Sequence, residues 1–226
     1  MDNTLFDLVG AQMKACDAVM HELGMSGRSG LYPYFLRPVH GYEAHENILD
    51  FLQDCGIHGE GLYEHARRVY DKEKLRSITP YPGAAETLAL LRGYGLPLGI
   101  ITDAHTRDAV RRLEKTGLLP FFSCMVTYDL VRVKKPASAP FIAALGMLQS
   151  SAEEVMLVGD SPRRDIEPAK NLGFWTVYAR YGDRFSAERS CVHADFVLDA
   201  ITGLPDILST LGCREDRQPD IPVSRL

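Results

Sequence analysis

The residues best suited to chemistry sit where apolar runs of the chain stop. After Ile100 and Ile101 come Thr102 and Asp103. After the run at 124–127, across a short connection, come Lys134, Lys135 and Pro136. After Val158 and Gly159 come Asp160 and Ser161, with Asp165 five positions beyond Asp160. Together these offer a hydroxyl donor, a fixed cation and two carboxylates. Carboxylate oxygens of that kind suit magnesium, and a cation with a metal is what a transferring phosphoryl group requires for charge neutralisation. Each piece also has a plainer use. Thr102 and Asp103 are residue types that cap a following helix, and a lone lysine such as Lys135 belongs on a solvated surface. The string Gly159-Asp160-Ser161-Pro162-Arg163-Arg164-Asp165 is harder to read as capping alone, because it brings two carboxylates to the start of one helix.

The surrounding pattern supplies the elements that would position these groups. Residues 81–95 read as a helix with Pro82 in or next to its first turn and Gly93 and Gly95 near its end. Short apolar runs rich in β-branched residues at 97–101, 124–127, 154–160 and 174–179, with an outer one at 195–199, read as strands. Helical periodicity covers Thr106–Thr116, Ser138–Leu148, Ile166–Leu172 and Leu204–Leu211. This alternation predicts an α/β fold: a Rossmann-like parallel sheet flanked by helices, with its ligand crevice beyond the carboxyl ends of the strands. Upstream of Thr79 no strand is evident. Helices are expected at Gly10–Leu23, Glu43–Leu52 and Gly61–Lys74, with 28–38 a loop. The expected division is a core of 1–8 and 78–213, an all-helical insert of 9–77 and a tail of 214–226. Trp175, inside an apolar strand, is expected to be core.

Composition narrows the function classes. At 226 residues and 46% apolar content the chain can bury a sizeable core. A net charge of -5, with cations scattered, gives no footprint for nucleic acid. Five cysteines without a CxxC pair form neither a disulfide framework nor a zinc pattern. No apolar run is long enough to span a membrane and no secretory signal is evident, so the expected location is cytoplasmic. A monomer or homodimer is expected.

The order of motifs resembles a known family. Asp2-Asn3-Thr4-Leu5, Ile101-Thr102-Asp103, Lys134-Lys135-Pro136 and the string 159–165 resemble the four motifs of the haloacid dehalogenase-like superfamily, in its phosphatase branch. The helical segment between the first two resembles a cap domain, and Tyr81-Pro82-Gly83-Ala84 fits the return to the core. The likeness covers 1–212. It implies a magnesium-dependent phosphomonoester hydrolase that works on a small phosphorylated metabolite through an aspartyl-phosphate. It further implies that Asp2 is the general acid and base, with its main-chain carbonyl on the metal. Thr102 would bind the phosphoryl oxygens, and Lys135 would balance the charge between nucleophile and phosphorus. Asp160 and Asp165 would hold Mg2+, and Asn3, Asp103, His105 and Ser161 would lie against substrate. A phosphomutase or dehalogenase and a non-catalytic, phosphate-binding regulatory relative are the other readings.

The resemblance also implies what precedes Asp2: an apolar strand in the centre of the sheet, ending in a nucleophilic aspartate directly before Met1. Neither is in this sequence. Because loss of a central strand exposes two backbone ladders, the expectation is that the true product starts about 6 to 10 residues upstream, one strand's length. A truncated, inactive relative and a partial sequence are the alternatives.

Other residues are read more plainly. His40 and His45, and His58 and His65, lack convergent metal-ligand partners, so packed or surface imidazoles are expected. Tyr32, Tyr34, Phe35, Arg37 and His40 suit either a substrate-facing or a packed cap loop. Tyr178, Arg180 and Tyr181 follow a strand and could line the rim of the crevice.

Overall fold

The computed structural model describes residues 1–25, 30–186 and 192–212; the expected tail lies outside the described residues. Its first helix shows how firmly the start of the chain is anchored. The Asn3 side-chain oxygen Oδ1 accepts from Leu8 N and Val9 N, both at 3.1 Å, and the Asp7 carboxylate accepts from Gly10 N at 2.9 Å. These bonds satisfy amide donors that a helix start otherwise leaves open. The result is α1 (Leu8–Glu22).

Three further helices follow: α2 (Tyr32–Leu36), α3 (Glu46–Asp54) and α4 (Leu62–Ser77). Cys16, Val19 and Met20 of α1 bury their faces with Phe35, Ile48, Phe51 and Tyr70 in one apolar cluster, with the Phe35 and Tyr70 rings stacked at 5.0 Å. This is the inserted helical cap. Residues 28–38, expected to be a loop, contain α2 because Pro33 fits a helix's first turn at no hydrogen-bond cost. Two crossings join cap and core side by side: Asp7 N donates to the Thr79 carbonyl at 3.3 Å and Tyr81 N to that of Leu5 at 2.9 Å.

The core alternates helix and strand: α5 (Ala84–Gly93), β1 (Gly99–Ile101), α6 (Thr106–Thr116), β2 (Cys124–Val126), α7 (Tyr128–Val131), α8 (Ala139–Leu148), β3 (Met156–Gly159), α9 (Glu167–Asn171), β4 (Trp175–Ala179), β5 (Phe196–Leu198) and α10 (Leu204–Gly212). Every strand pairing is parallel. β1 pairs with β2, and β3, β4 and β5 form a second piece in that order, with Val158 opposite Val177. Among the described residues no strand precedes Gly99, and no ladder joins β1 to β3. Residues 1–6 lie at the seam instead, with Leu5 and Phe6 packed in one cluster with Ile100, Leu113 and Ile201.

Two side-chain expectations are corrected here. Trp175 is 37% exposed, because it is the first residue of β4 and points outward while Thr176 to Ala179 are buried; its ring lies 6.3 Å from that of Phe196. Tyr178, Arg180 and Tyr181 do not line the rim. The Tyr178 hydroxyl is buried and donates to Asp183 at 2.5 Å, Arg180 pairs with Asp199 at 2.6 Å, and the Tyr181 hydroxyl donates to the Thr4 carbonyl at 2.6 Å.

Candidate active site

The carboxyl ends of β1 and β3 open into a cavity of about 1640 Å³ under the cap, lined by Asp2, Thr102, Lys135, Asp160 and Asp165. Backbone geometry dictates much of this arrangement. Thr102 N extends the ladder beyond β1 by donating to the Val126 carbonyl at 2.9 Å, so the Thr102 hydroxyl is fixed at the strand end. That hydroxyl accepts from Ala104 N at 3.2 Å and donates to Asp2 Oδ2 at 3.4 Å. Thr102 therefore does not cap α6. Asp129 does so from α7, accepting from Thr106 N at 2.6 Å.

At the end of β3, Gly159 is a glycine because a Cβ there would lie 2.5 Å from Asp165 Cβ. The chain then makes a wide helical turn (Pro162–Ile166) that brings Asp165 back beneath the strand end. Its Oδ1 accepts from Lys135 Nζ at 2.5 Å and its Oδ2 from Ser161 N at 3.1 Å. Asp160 Oδ1 accepts from the Thr4 hydroxyl at 2.9 Å. A second close approach, at Gly182, locks the N-terminal segment in place: a Cβ there would lie 1.6 Å from the Asn3 carbonyl oxygen.

The electrostatics follow from burial. Asp160 and Asp165 are 6% and 5% exposed. Burial and the neighbouring Asp165 charge push the Asp160 carboxyl up to about 6, against the pull of the Met1 amino group, Thr4 and Lys135. Burial works against charge at Lys135 too, but Asp165 and Asp103 outweigh it and hold the ammonium above its ordinary value. Asp165 is kept below its ordinary value because Lys135 outweighs its burial. The Met1 amino group shares this cluster: burial and Lys135 lower it, while Asp2, Asp165 and Asp160 draw it back up.

The remaining anticipated residues divide. The Asp103 carboxylate accepts from Lys135 N at 2.9 Å, and that bond holds the lysine's backbone in place. Asn3 and Ser161 line the cavity, but their side-chain oxygens serve the backbone, Asn3 at the start of α1 and Ser161 by accepting from Arg164 N at 3.3 Å. His105 stands exposed at the cavity's edge with Nδ1 2.7 Å from Asp129. Of the cap residues, Phe35 and Arg37 line the cavity, and the Arg37 guanidinium bonds Asp50 at 2.6 Å. The side chains of Tyr32, Tyr34 and His40 bond Tyr42, Asp54 and Asp50. His45 and His65 pair with Asp71 and Glu22.

With this geometry, the comparisons decide the family. A model of haloacid dehalogenase-like hydrolases matches residues 1–179. The chain belongs to the haloacid dehalogenase-like hydrolase family. It is 35% identical over 214 residues to the phosphoglycolate phosphatase of Chromobacterium violaceum, covering 92% of this chain and 93% of that one. It is 33% identical over 142 residues to the glyceraldehyde 3-phosphate phosphatase of Methanocaldococcus jannaschii, and there spans only 62% of the relative's length. The crystal structure of a HAD phosphatase from Thermococcus onnurineus superposes with a TM-score of 0.63 at 26% identity, covering 92% of this chain and 94% of that one.

As a haloacid dehalogenase-like chain it can be tested for a magnesium site. Two buried carboxylates side by side, one of them pushed up to about 6, are hard oxygen donors short of positive charge, and that fits a divalent cation. Among the described residues no third His, Cys, Asp or Glu side chain joins them as a metal-holding group. A main-chain carbonyl and water would complete the coordination.

Sequence reasoning missed Arg112, Glu43 and Lys74. Arg112 is 4% exposed and donates to Asp2 Oδ1 at 2.9 Å while gripping Glu43, which also pairs with Lys74 at 3.2 Å. A signal was present: Arg112 falls in phase with Ala109 and Leu113 on the buried face of α6, where a charge is out of place unless paired.

Proposed function

We propose that this protein is a magnesium-dependent phosphomonoester hydrolase that acts on a small phosphorylated metabolite through an aspartyl-phosphate. The observation that carries the reading is the convergence of Asp2, Thr102, Lys135, Asp160 and Asp165 on one cavity, which is also lined by Met1 and so lies beside the Met1 nitrogen. A residue joined to that nitrogen enters the cluster, and a carboxylate there would face the phosphoryl group as the nucleophile.

The roles follow from charge. A dianionic phosphoester repels an anionic nucleophile, so the transferring group must be neutralised. Lys135, fixed by Asp165 and Asp103, supplies one positive charge next to the phosphoryl oxygens. The Thr102 hydroxyl, held at the end of β1, donates to one of those oxygens. Asp160 and Asp165, with the main-chain carbonyl of Asp2, would hold magnesium, which when bound would supply further positive charge to the transferring group. Asp2 protonates the leaving oxygen and afterwards takes a proton from the attacking water. The phosphatases of C. violaceum and M. jannaschii favour a small organic phosphate as substrate. No described helix is long and apolar enough to cross a membrane.

A second reading is a family member that binds phosphorylated compounds without hydrolysing them. It is favoured by the ion pair that turns Asp2 Oδ1 toward Arg112. One assay separates the two. The protein carrying an aspartate directly before Met1 should release phosphate from an aryl phosphate only with magnesium. Asn at that added position, or Asp2→Asn, should lower turnover at least about a hundredfold. Magnesium-dependent binding without turnover would establish the second reading.

A further inference from the structure

Beside the phosphoryl end of the cavity lies a group of charges that hydrolysis itself does not use. Arg112 of α6 donates through Nη1 to Asp2 Oδ1 at 2.9 Å and to Glu43 Oε2 at 3.4 Å, and through Nη2 to Glu43 Oε1. Lys74, in the last turn of α4, donates to the same Glu43 oxygen at 3.2 Å. A guanidinium from the core and an ammonium from the cap thus hold one carboxylate between them. Burial opposes the charge on Glu43, but the two cations outweigh it and hold the carboxyl down at about 2.

Glu43 differs from its partners in how it is held. Arg112 and Lys74 are 4% and 11% exposed, whereas Glu43 keeps 32% of its side chain open, in the wall of the cavity. The turn that carries it is pinned through its backbone: the Asn47 amide donates to the Gly41 and Ala44 carbonyls at 3.0 and 2.9 Å, and Gln12 Nε2 to the Tyr42 carbonyl at 2.8 Å. The Glu43 side chain can swing away without any of these bonds breaking.

We propose that Arg112 and Lys74 form a carboxylate-recognition subsite that Glu43 fills in the resting protein and that a carboxylate on the substrate's leaving group takes over in the complex. The placing of the leaving group rests on the phosphatase reading, since Asp2, which protonates the leaving oxygen, shares Arg112. The preference for a carboxylate rests on the present occupant, a planar anion matched to two guanidinium N-H groups with an ammonium at its side. Charge supports the exchange. Arg112 and Lys74 balance Asp2 and Glu43, and an incoming carboxylate that replaces Glu43 leaves that balance unchanged. A neutral leaving group has nothing with which to displace Glu43.

Calorimetric titration of the whole chain with glycolate tests this without requiring turnover. Glu43→Gln removes the internal competitor, so glycolate should bind about tenfold more tightly than to the unsubstituted chain, and Arg112→Gln should weaken it by about as much. Should Arg112→Gln fail to fold, Lys74→Met supplies the same arm. Inorganic phosphate, titrated in parallel, should gain less than about threefold from Glu43→Gln. A folded Glu43→Gln protein with unchanged or weaker glycolate affinity would overturn the subsite and make Glu43 a strut between cap and core. An equal gain for phosphate would overturn the carboxylate preference. Glycolate binding that follows this pattern, with no phosphate released by the protein carrying an aspartate directly before Met1, would uphold the subsite and remove the phosphatase reading alone.

Discussion

The two walls of the cavity place their charges by different means. At the strand ends, Thr102, Lys135, Asp160 and Asp165 are positioned by backbone: by the ladder from Val126 to Thr102, the Lys135 amide on Asp103, and the glycine that admits Asp165 beneath β3. On the cap side, the charged groups of Arg112, Glu43 and Lys74 come from three separate parts of the chain and are held by one another and by Asp2. The first wall is a rigid receptor that local sequence defines. The second exists only while cap and core are packed together, and so it can be remade by a ligand or by acid. Charges fixed by backbone suit chemistry common to all substrates, and charges fixed by mutual pairing suit selection among them.

The comparison can be broken most severely at Lys135. Lys135→Met leaves Asp160 and Asp165 buried beside each other without their ammonium, and breaking such a pair costs roughly 3–5 kcal/mol. Urea unfolding without magnesium should show that loss, and in the protein carrying an aspartate directly before Met1 turnover should vanish. A loss below about 1 kcal/mol would mean that the strand-end wall is not held by this pair. Gly182→Ala tests the backbone fit itself. A Cβ 1.6 Å from the Asn3 carbonyl must push the N-terminal segment away, an overpacking cost of about 1–3 kcal/mol, with Thr4 drawn off Asp160.

Acid should weaken the other wall. Glu43 is held at about 2 in the folded protein against an ordinary 4.5, so its contribution is present above 4.5 and is lost as pH falls toward 2. Thermal melting of the native protein should drop more steeply across that window than melting of Glu43→Gln. Parallel curves would show that Glu43 is not held by its cations. The smallest effect is expected at Phe185, which is 55% exposed and meets the cap through the Tyr42 ring at 5.5 Å. Phe185→Ala should cost no more than about 1.5 kcal/mol and leave strand-end chemistry intact. A larger loss would make this contact a principal tie between cap and core.

The same division explains what the sequence revealed. Strand-end residues were legible because a polar residue that stops an apolar run has few places to go in a parallel sheet, and the helix at Thr106–Thr116 was read to its boundaries from periodicity. Trp175 was misread because an apolar run does not say which face of the strand its first residue takes. Asn3 and Ser161, expected against substrate, also serve the start of a helical turn, a second use of asparagine and serine that the motif alone did not disclose. Arg112 was overlooked because its partners lie 69 and 110 positions away. No local pattern encodes a pairing over that distance; only a charge on an apolar helix face hinted that a partner had to exist.

The account stands on the claim that Asp160 and Asp165 bind a divalent cation at the strand ends. Calorimetric titration with magnesium measures it directly. The unsubstituted protein should take up about one ion per chain, and Asp160→Asn, folded and equally cooperative in melting, should take up none that the titration detects. Equal magnesium binding by both proteins would contradict the account, because the cation would then lie somewhere other than between these two carboxylates.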